Sequence, residues 1–313
     1  MATDLSEVTV SLSSLSLQGF VDRYEDAEDP ERWERARLRQ SITHCQTTGN
    51  PFLVVSSLST QLDEFVAETL KPNIDGKYQP SVVPEAHEYF LQAKAFCTRW
   101  EIGDQELVNF KRLLRGNLHF PALLLLNPCE DHIHPYDNMI QSPTLAYLRE
   151  ILELSGLELE DIVILDSFPF LTETDLAKMS VPSRRVALAE AFGLTVAFIR
   201  TFRLPALVSC QCTTNREQNE EWGYFYNSAA CDLSSSTIGA ENFNVKSKSF
   251  DGYRIKIIQA FHPSHILRTQ DGDARNKLEQ NFKEILRKVY SPCGDWERRV
   301  KAAIELHKIR KRL

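Results

Sequence analysis

From residue 120 onward the chain alternates short continuous apolar runs with helical stretches, and this alternation limits the folds open to it. Phe120-Pro121-Ala122-Leu123-Leu124-Leu125-Leu126 stops at Asn127-Pro128. Ile162-Val163-Ile164-Leu165 stops at Asp166, Leu204 to Ser209 at Cys210-Gln211, and Ile255 to Ala260 at Phe261-His262-Pro263. Apolar runs without polar alternation suit strands covered on both faces of a sheet. Ser142-Pro143-Thr144 opens a helical stretch from Leu145 to Leu154, and Arg184 to Phe202 reads as a longer one. Strands alternating with helices imply a mainly parallel sheet between helix layers. The predicted class is therefore α/β, a three-layer α/β/α arrangement with a short, mainly parallel central sheet.

The first 114 residues read differently. Residues 1–30 are polar and end in an acidic stretch, which predicts a poorly ordered start. Asp29-Pro30-Glu31 is a helix opening, with a cap, a proline and an acid in the first turn. That helix is expected to run to about Thr47 and to stop at Gly49-Asn50-Pro51. Further helices are expected from Ser59 to Leu70, with Leu62, Phe65, Val66 and Leu70 on one face, from Pro84 to Trp100, and from Gln105 to Leu114. Residues 31–114 thus form an N-terminal helical extension packed on an α/β domain at 115–313. Within that domain, Thr213 to Phe250 is long and polar and reads as an insertion: surface loop, small hairpin or partly disordered. Two helices, Ala274 to Tyr290 and Trp296 to Lys311, are expected to close the chain.

Composition removes several function classes. No apolar run approaches the ~18 residues of a membrane helix, and Met1 to Gly19 lacks the basic start and apolar core of a secretory signal. The expectation is an intracellular protein, in nucleus or cytoplasm, with no membrane partner. Seven cysteines, odd in number and scattered, then read as reduced thiols. Cys210-x-Cys212 lacks zinc-knuckle spacing. Cys129-Glu130-Asp131-His132-Ile133-His134 resembles a ligand cluster but sits in a proline-bounded loop, so neither metal nor cofactor is predicted. The net charge of −7 argues against broad nucleic-acid affinity. From Lys283 to Leu313, however, ten Lys or Arg stand against four Asp or Glu. That segment carries +6 and the remainder −13, and a basic helix of this kind can steer a polyanion or simply present a solvated face.

Parallel α/β sheets bind ligands beyond the C-terminal ends of their strands. Those ends supply Asn127, Asp166 and His262, an amide, a carboxyl and an imidazole. Leu126-Asn127-Pro128, followed much later by His262-Pro263-Ser264, resembles the motif pair of the uracil-DNA glycosylase superfamily, closest to its single-strand-selective and mismatch-specific branches. The resemblance covers about residues 115–290. Between the motifs the family has a strand ending in Asn; Asp166-Ser167-Phe168-Pro169-Phe170 stands there in this chain. The family's first motif is Gly-x-Asn-Pro-Gly, and Leu125 and Cys129 occupy its glycine positions.

The resemblance implies a DNA glycosylase acting on a deaminated or modified base of the uracil type in DNA repair, with single- or double-stranded DNA as partner and without a metal or cofactor. Asn127 would hold the attacking water and His262 would donate to the departing base. Asp166 would read the base edge, with Tyr136 or Phe168 stacking on the base. Ile266 and Leu267 would wedge into the vacated stack, with Ser264 and Arg268 also on DNA. An aspartate at 166 offers only acceptors unless protonated and would repel uracil O4, so it favours an amino group such as that of cytosine. The alternative is a catalytically altered binding module of the same fold for a nucleotide, a damaged base or a protein partner.

Overall fold

The computed structural model describes residues 59–211, 233–250 and 252–312. The expected poorly ordered start at 1–30, the helix expected from Asp29 to Thr47 and the middle of the expected insertion lie outside the described residues. In chain order the elements are α1 (Gln61–Phe65), α2 (Lys71–Asp75), α3 (Tyr89–Arg99), α4 (Asp104–Leu113), β1 (Ala122–Leu125), α5 (Tyr136–Met139), α6 (Pro143–Glu153) and β2 (Ile164–Asp166). They continue with α7 (Glu173–Lys178), α8 (Val181–Phe202), β3 (Ala206–Ser209), α9 (Thr237–Glu241), β4 (Val245–Phe250), β5 (Tyr253–Gln259), α10 (Pro263–Arg268) and α11 (Gly272–Arg312).

The sheet has five strands in the order β2-β1-β3-β5-β4. β2, β1, β3 and β5 are parallel, and β4 lies antiparallel on the outer edge of β5. Every residue of β1, β2 and β3 is buried, which explains why their sequences show no polar alternation. Side chains still alternate between faces, as the pleat requires. Leu123, Leu125, Ile164, Val208 and Ile258 belong to one apolar cluster. Leu124, Leu165, Leu207 and Ile257 belong to the other. The first cluster is completed by α1, α6 and α11 through residues such as Phe65, Leu148 and Phe282. The second is completed by α3, α4 and α8 through Phe90, Phe110 and Phe198. The predicted α/β class holds, with helices on both faces of the sheet.

Thr60 to Leu313 is one compact unit, so the described part of the expected extension shares both apolar clusters with the sheet. Thr60 caps α1 by accepting from the Asp63 amide, and Leu62 and Phe65 are buried as their spacing predicts. A π-helical turn, Val66–Leu70, joins α1 to α2. Pro72 has no N–H to give the Glu68 carbonyl, and a widened turn accommodates that missing bond.

One expectation is corrected. The final helix pair is one helix of 41 residues with Pro292 inside it. Packing overrides the local breaker: Tyr290, Cys293 and Trp296 are all buried. The Tyr290 hydroxyl donates to the Pro121 carbonyl and the Trp296 indole to the Lys77 carbonyl. α9 and β4 lie within the expected insertion, whose forms included a small hairpin, and β4 pairs antiparallel with β5. β4 reads Val-Lys-Ser-Lys-Ser-Phe, the polar, lysine-bearing composition of an exposed edge strand. Among the described residues, no helix is long and apolar enough to cross a membrane.

Gly294 shows how closely α11 meets the loop after α6. A β-carbon there would lie 1.9 Å from the Ser155 carbonyl oxygen, and backbone cannot swing aside as a flexible side chain can. Gly294→Ala should destabilise the protein by ~1–3 kcal/mol. Urea unfolding of the variant would show a lowered midpoint; an unchanged midpoint would mean the two segments are free to separate.

Candidate functional site

Because four strands run parallel, the chain leaves all of them at one edge of the sheet, and three of the exits carry the polar groups expected there. Asp166 is the last residue of β2 and stands opposite Leu125 of β1. Asn127 lies two residues past the end of β1. His262 follows β5 and caps the N-terminus of α10. All three line one cavity of about 560 Å³. Its walls also carry Leu125, Met139, Leu145 and Ile164, so the polar groups share the lining with aliphatic side chains.

Local bonds fix what each group can offer. The Asn127 Nδ2 donates to the Leu171 carbonyl at 3.4 Å, which leaves Oδ1 as the atom able to accept from the cavity. The His262 Nδ1 accepts from the Ser264 backbone N–H at 3.2 Å and from its hydroxyl at 2.7 Å. A backbone N–H can only donate, so Nδ1 is the bare nitrogen and the neutral ring carries its proton on Nε2. Burial lowers the His262 pKa to about 4, with Arg268 and His265 adding to the effect. The imidazole is therefore a neutral N–H donor at physiological pH.

Asp166 is the unusual member. It is 6% exposed, and its main-chain carbonyl is held by the Thr195 hydroxyl at 2.8 Å. The neighbouring Ser167 hydroxyl donates to the Gln211 side chain, tying together the ends of β2 and β3. The carboxyl itself is poorly served: Oδ1 is buried with no hydrogen-bond partner. Desolvation alone pushes its pKa up to about 7, because an ion in that position has lost water without gaining a compensating donor.

Of the other expected site residues, Ser264 and Arg268 line the cavity, with Arg268 exposed. Tyr136 and Phe168 are not among the lining residues. Tyr136 is buried beneath the Arg112 guanidinium, 3.6 Å from the ring centroid. Phe168 is buried against Phe192 in the core. Neither ring is presented to a base in the cavity, and the expected stacking role is corrected for both. Ile266 is also corrected: it is fully buried in the cluster beneath the sheet and is no exposed wedge. Leu267 is half-buried and lies outside the cavity lining.

The cavity also takes residues outside the expected site. Cys129 lines it, as do Thr144 at the start of α6, Thr237 at the start of α9, and His265. Cys129 and Thr144 follow the same strand exit as Asn127, so the strand-end rule extends to them. Thr237 falls in the stretch taken for an insertion, and no sequence signal marked it. His132 lines the wall but is buried, and burial lowers its pKa to about 4; its Nε2 meets the Glu106 carbonyl at 3.3 Å. Among the described residues, no group of three His, Cys, Asp or Glu converges as a metal site would require. No protein-family model matches the chain, and no curated protein matches it in sequence.

Proposed function

We propose that this chain is a monofunctional DNA glycosylase of the uracil-DNA glycosylase type, hydrolysing the bond between a deaminated or modified base and deoxyribose during DNA repair. One observation carries the reading: Asn127 and His262, far apart in sequence, line a single cavity with Asp166 at the C-terminal edge of a parallel sheet. The cavity volume falls within the ~300–1,000 Å³ usual for small-ligand sites.

The chemistry follows from what each group offers. A base inside a duplex must be turned out before its glycosidic bond is accessible. Heterolysis of the C1′–N bond leaves the electron pair on the base and a cation-like sugar. His262 Nε2–H donates to a base oxygen and steadies the growing negative charge, as a fixed donor does without reorganising. Asn127 Oδ1 accepts from a water that adds to C1′. The amide is too weak a base to deprotonate that water in advance, but a cation-like sugar needs no such help. The water's proton passes to solvent and the departing base anion takes one up, so the sum is hydrolysis. Arg268, exposed at the cavity mouth, is placed to meet a phosphate.

The test is direct. Oligonucleotides carrying uracil, hypoxanthine or other altered bases, single- and double-stranded, are incubated with the protein and then treated with alkali. Strand scission should appear with at least one of them and be lost in Asn127→Ala protein. Absence of scission on every substrate, with oligonucleotide binding retained, would replace this reading with that of a binding module.

A further inference from the structure

The far end of α11 leaves the body of the protein. Val300 is the last of its described residues to be buried, and every residue from Lys301 to Lys308 is exposed. The helix nevertheless continues to Arg312. We propose that this projecting arm is a docking helix for another protein, and that it seats in an apolar groove edged by carboxylates, the kind that calcium-sensor proteins open. Tyr290 and Trp296 of α11 meet the main chain at Pro121 and Lys77, ahead of β1. The arm thus stands at the edge of the sheet opposite the cavity, and the inference does not depend on what the cavity binds.

A helix turns about 100° per residue, which fixes the positions that share a face. Ala302, Leu306 and Ile309 fall within about 60° of one another on that count. Val300 and Ile304 fall on the opposite side. Val300 is buried and Ile304 is 41% exposed, so the body lies on that side. The line of positions through Ala302, Leu306 and Ile309 therefore lies away from the protein, and Leu306 is 58% exposed. A helix end that was only solvated would carry polar residues along its outer side. An apolar stripe there, repeated at i, i+4 and i+7, is the anchor pattern of a helix that lies in a groove.

Charge narrows the partner. From Arg298 to Arg312, seven Lys or Arg stand against one acid, Glu305. By helical register Lys301, Lys308 and Arg312 take one flank of the stripe, and Arg299 and Arg310 the other. Two copies of the arm laid side by side would bring these cations together, which disfavours a pair of identical helices. Carboxylates along the rim of a groove meet both flanks at once. Lys308 pairs with Glu305 on the surface, a contact too weak to keep the lysine from a second carboxylate. The stripe is also narrower than the apolar face of about 100° that a broadly packed helix shows, so it suits a groove better than a flat lipid surface. DNA would match the cations but leave Leu306 in water.

The test is titration of the fluorescently labelled full chain with calcium-loaded calmodulin, whose groove is apolar, methionine-rich and acid-edged. Binding should be lost when calcium is chelated and the groove closes. Leu306→Asp should weaken it by about tenfold or more, as removal of a buried anchor does. Lys308→Glu should weaken it by about fivefold at low salt and less at high salt. Both positions are exposed, so the urea midpoint of each variant should match the parent. Parallel titrations use vesicles of phosphatidylserine and phosphatidylcholine, a duplex oligonucleotide, and the chain alone in sedimentation. Absence of calcium-dependent binding, or binding that Leu306→Asp leaves intact, would overturn the proposal. So would tighter attachment to vesicles or duplex that Leu306→Asp abolishes, or self-association that the same replacement abolishes; these outcomes would give the arm to a lipid surface, to DNA or to a second copy of the chain.

Discussion

His262→Ala should lower base excision by about 10²–10³-fold at saturating oligonucleotide, the loss seen when one fixed donor to a developing anion is removed. The effect belongs to the rate of bond cleavage rather than to binding, because the anion exists only as the base departs. Single-turnover kinetics separate the two. His262 also caps α10 by accepting from the Ser264 amide, so its removal should cost ~1 kcal/mol of stability. A modest drop in the urea midpoint is therefore expected and does not account for a hundredfold loss of rate. Because the imidazole gains its second proton only near pH 4, the rate should show no inflection near 6.5 that disappears in the variant. Excision within threefold of the parent would remove His262 from the chemistry.

What the sequence revealed and what it hid have physical causes. β1, β2 and β3 were legible because both faces are covered, leaving apolar runs that end where the chain turns to solvent. Parallel strands share their exits, so the same ends yielded Asn127, Asp166 and His262 together. β4 stayed open between loop and hairpin because an edge strand needs no apolar run, and its alternating lysines and serines suit either. The single long helix was hidden because Pro292 and Gly294 are local breakers, and only the burial of Tyr290 and Trp296 around them holds the helix continuous.

Side-chain direction was the least legible feature. Ser264, His265 and Arg268 share the cavity side of α10, and Ile266 between them faces the core. Counting positions past the His-Pro-Ser motif cannot distinguish the two faces of so short a helix. Tyr136 and Phe168 went astray for a related reason: an aromatic residue near a site is as well suited to the core beneath it as to the ligand above. The state of Asp166 was only half visible. Its acceptor chemistry follows from its identity, but its proton affinity depends on the apolar residues that surround it in the fold.

That proton affinity predicts the largest change in stability. The folded carboxyl titrates near 7 against 3.8 for the free group. Below the lower value it is neutral whether the chain is folded or not, and no penalty arises. As pH rises from there, the unfolded chain releases its proton while the folded one holds it, so stability falls until the folded group also ionises and is constant above. The gap corresponds to about 4 kcal/mol. Asn at this position never ionises, so Asp166→Asn should match the parent near pH 4 and gain steadily up to pH 8. A buried amide has hydrogen-bonding needs of its own, worth ~1–3 kcal/mol, and these shift the whole comparison without altering its slope. Urea unfolding at pH 4, 6 and 8 measures that slope. If the cavity takes a base as proposed, the same replacement removes a negative charge from its wall, so uracil excision should rise about tenfold relative to the parent at pH 8 and little at pH 6, in step with the ionised fraction. A stability difference that is flat with pH would show that Asp166 titrates as an ordinary carboxylate, and unchanged or weaker uracil excision at pH 8 would show that its charge does not face the base.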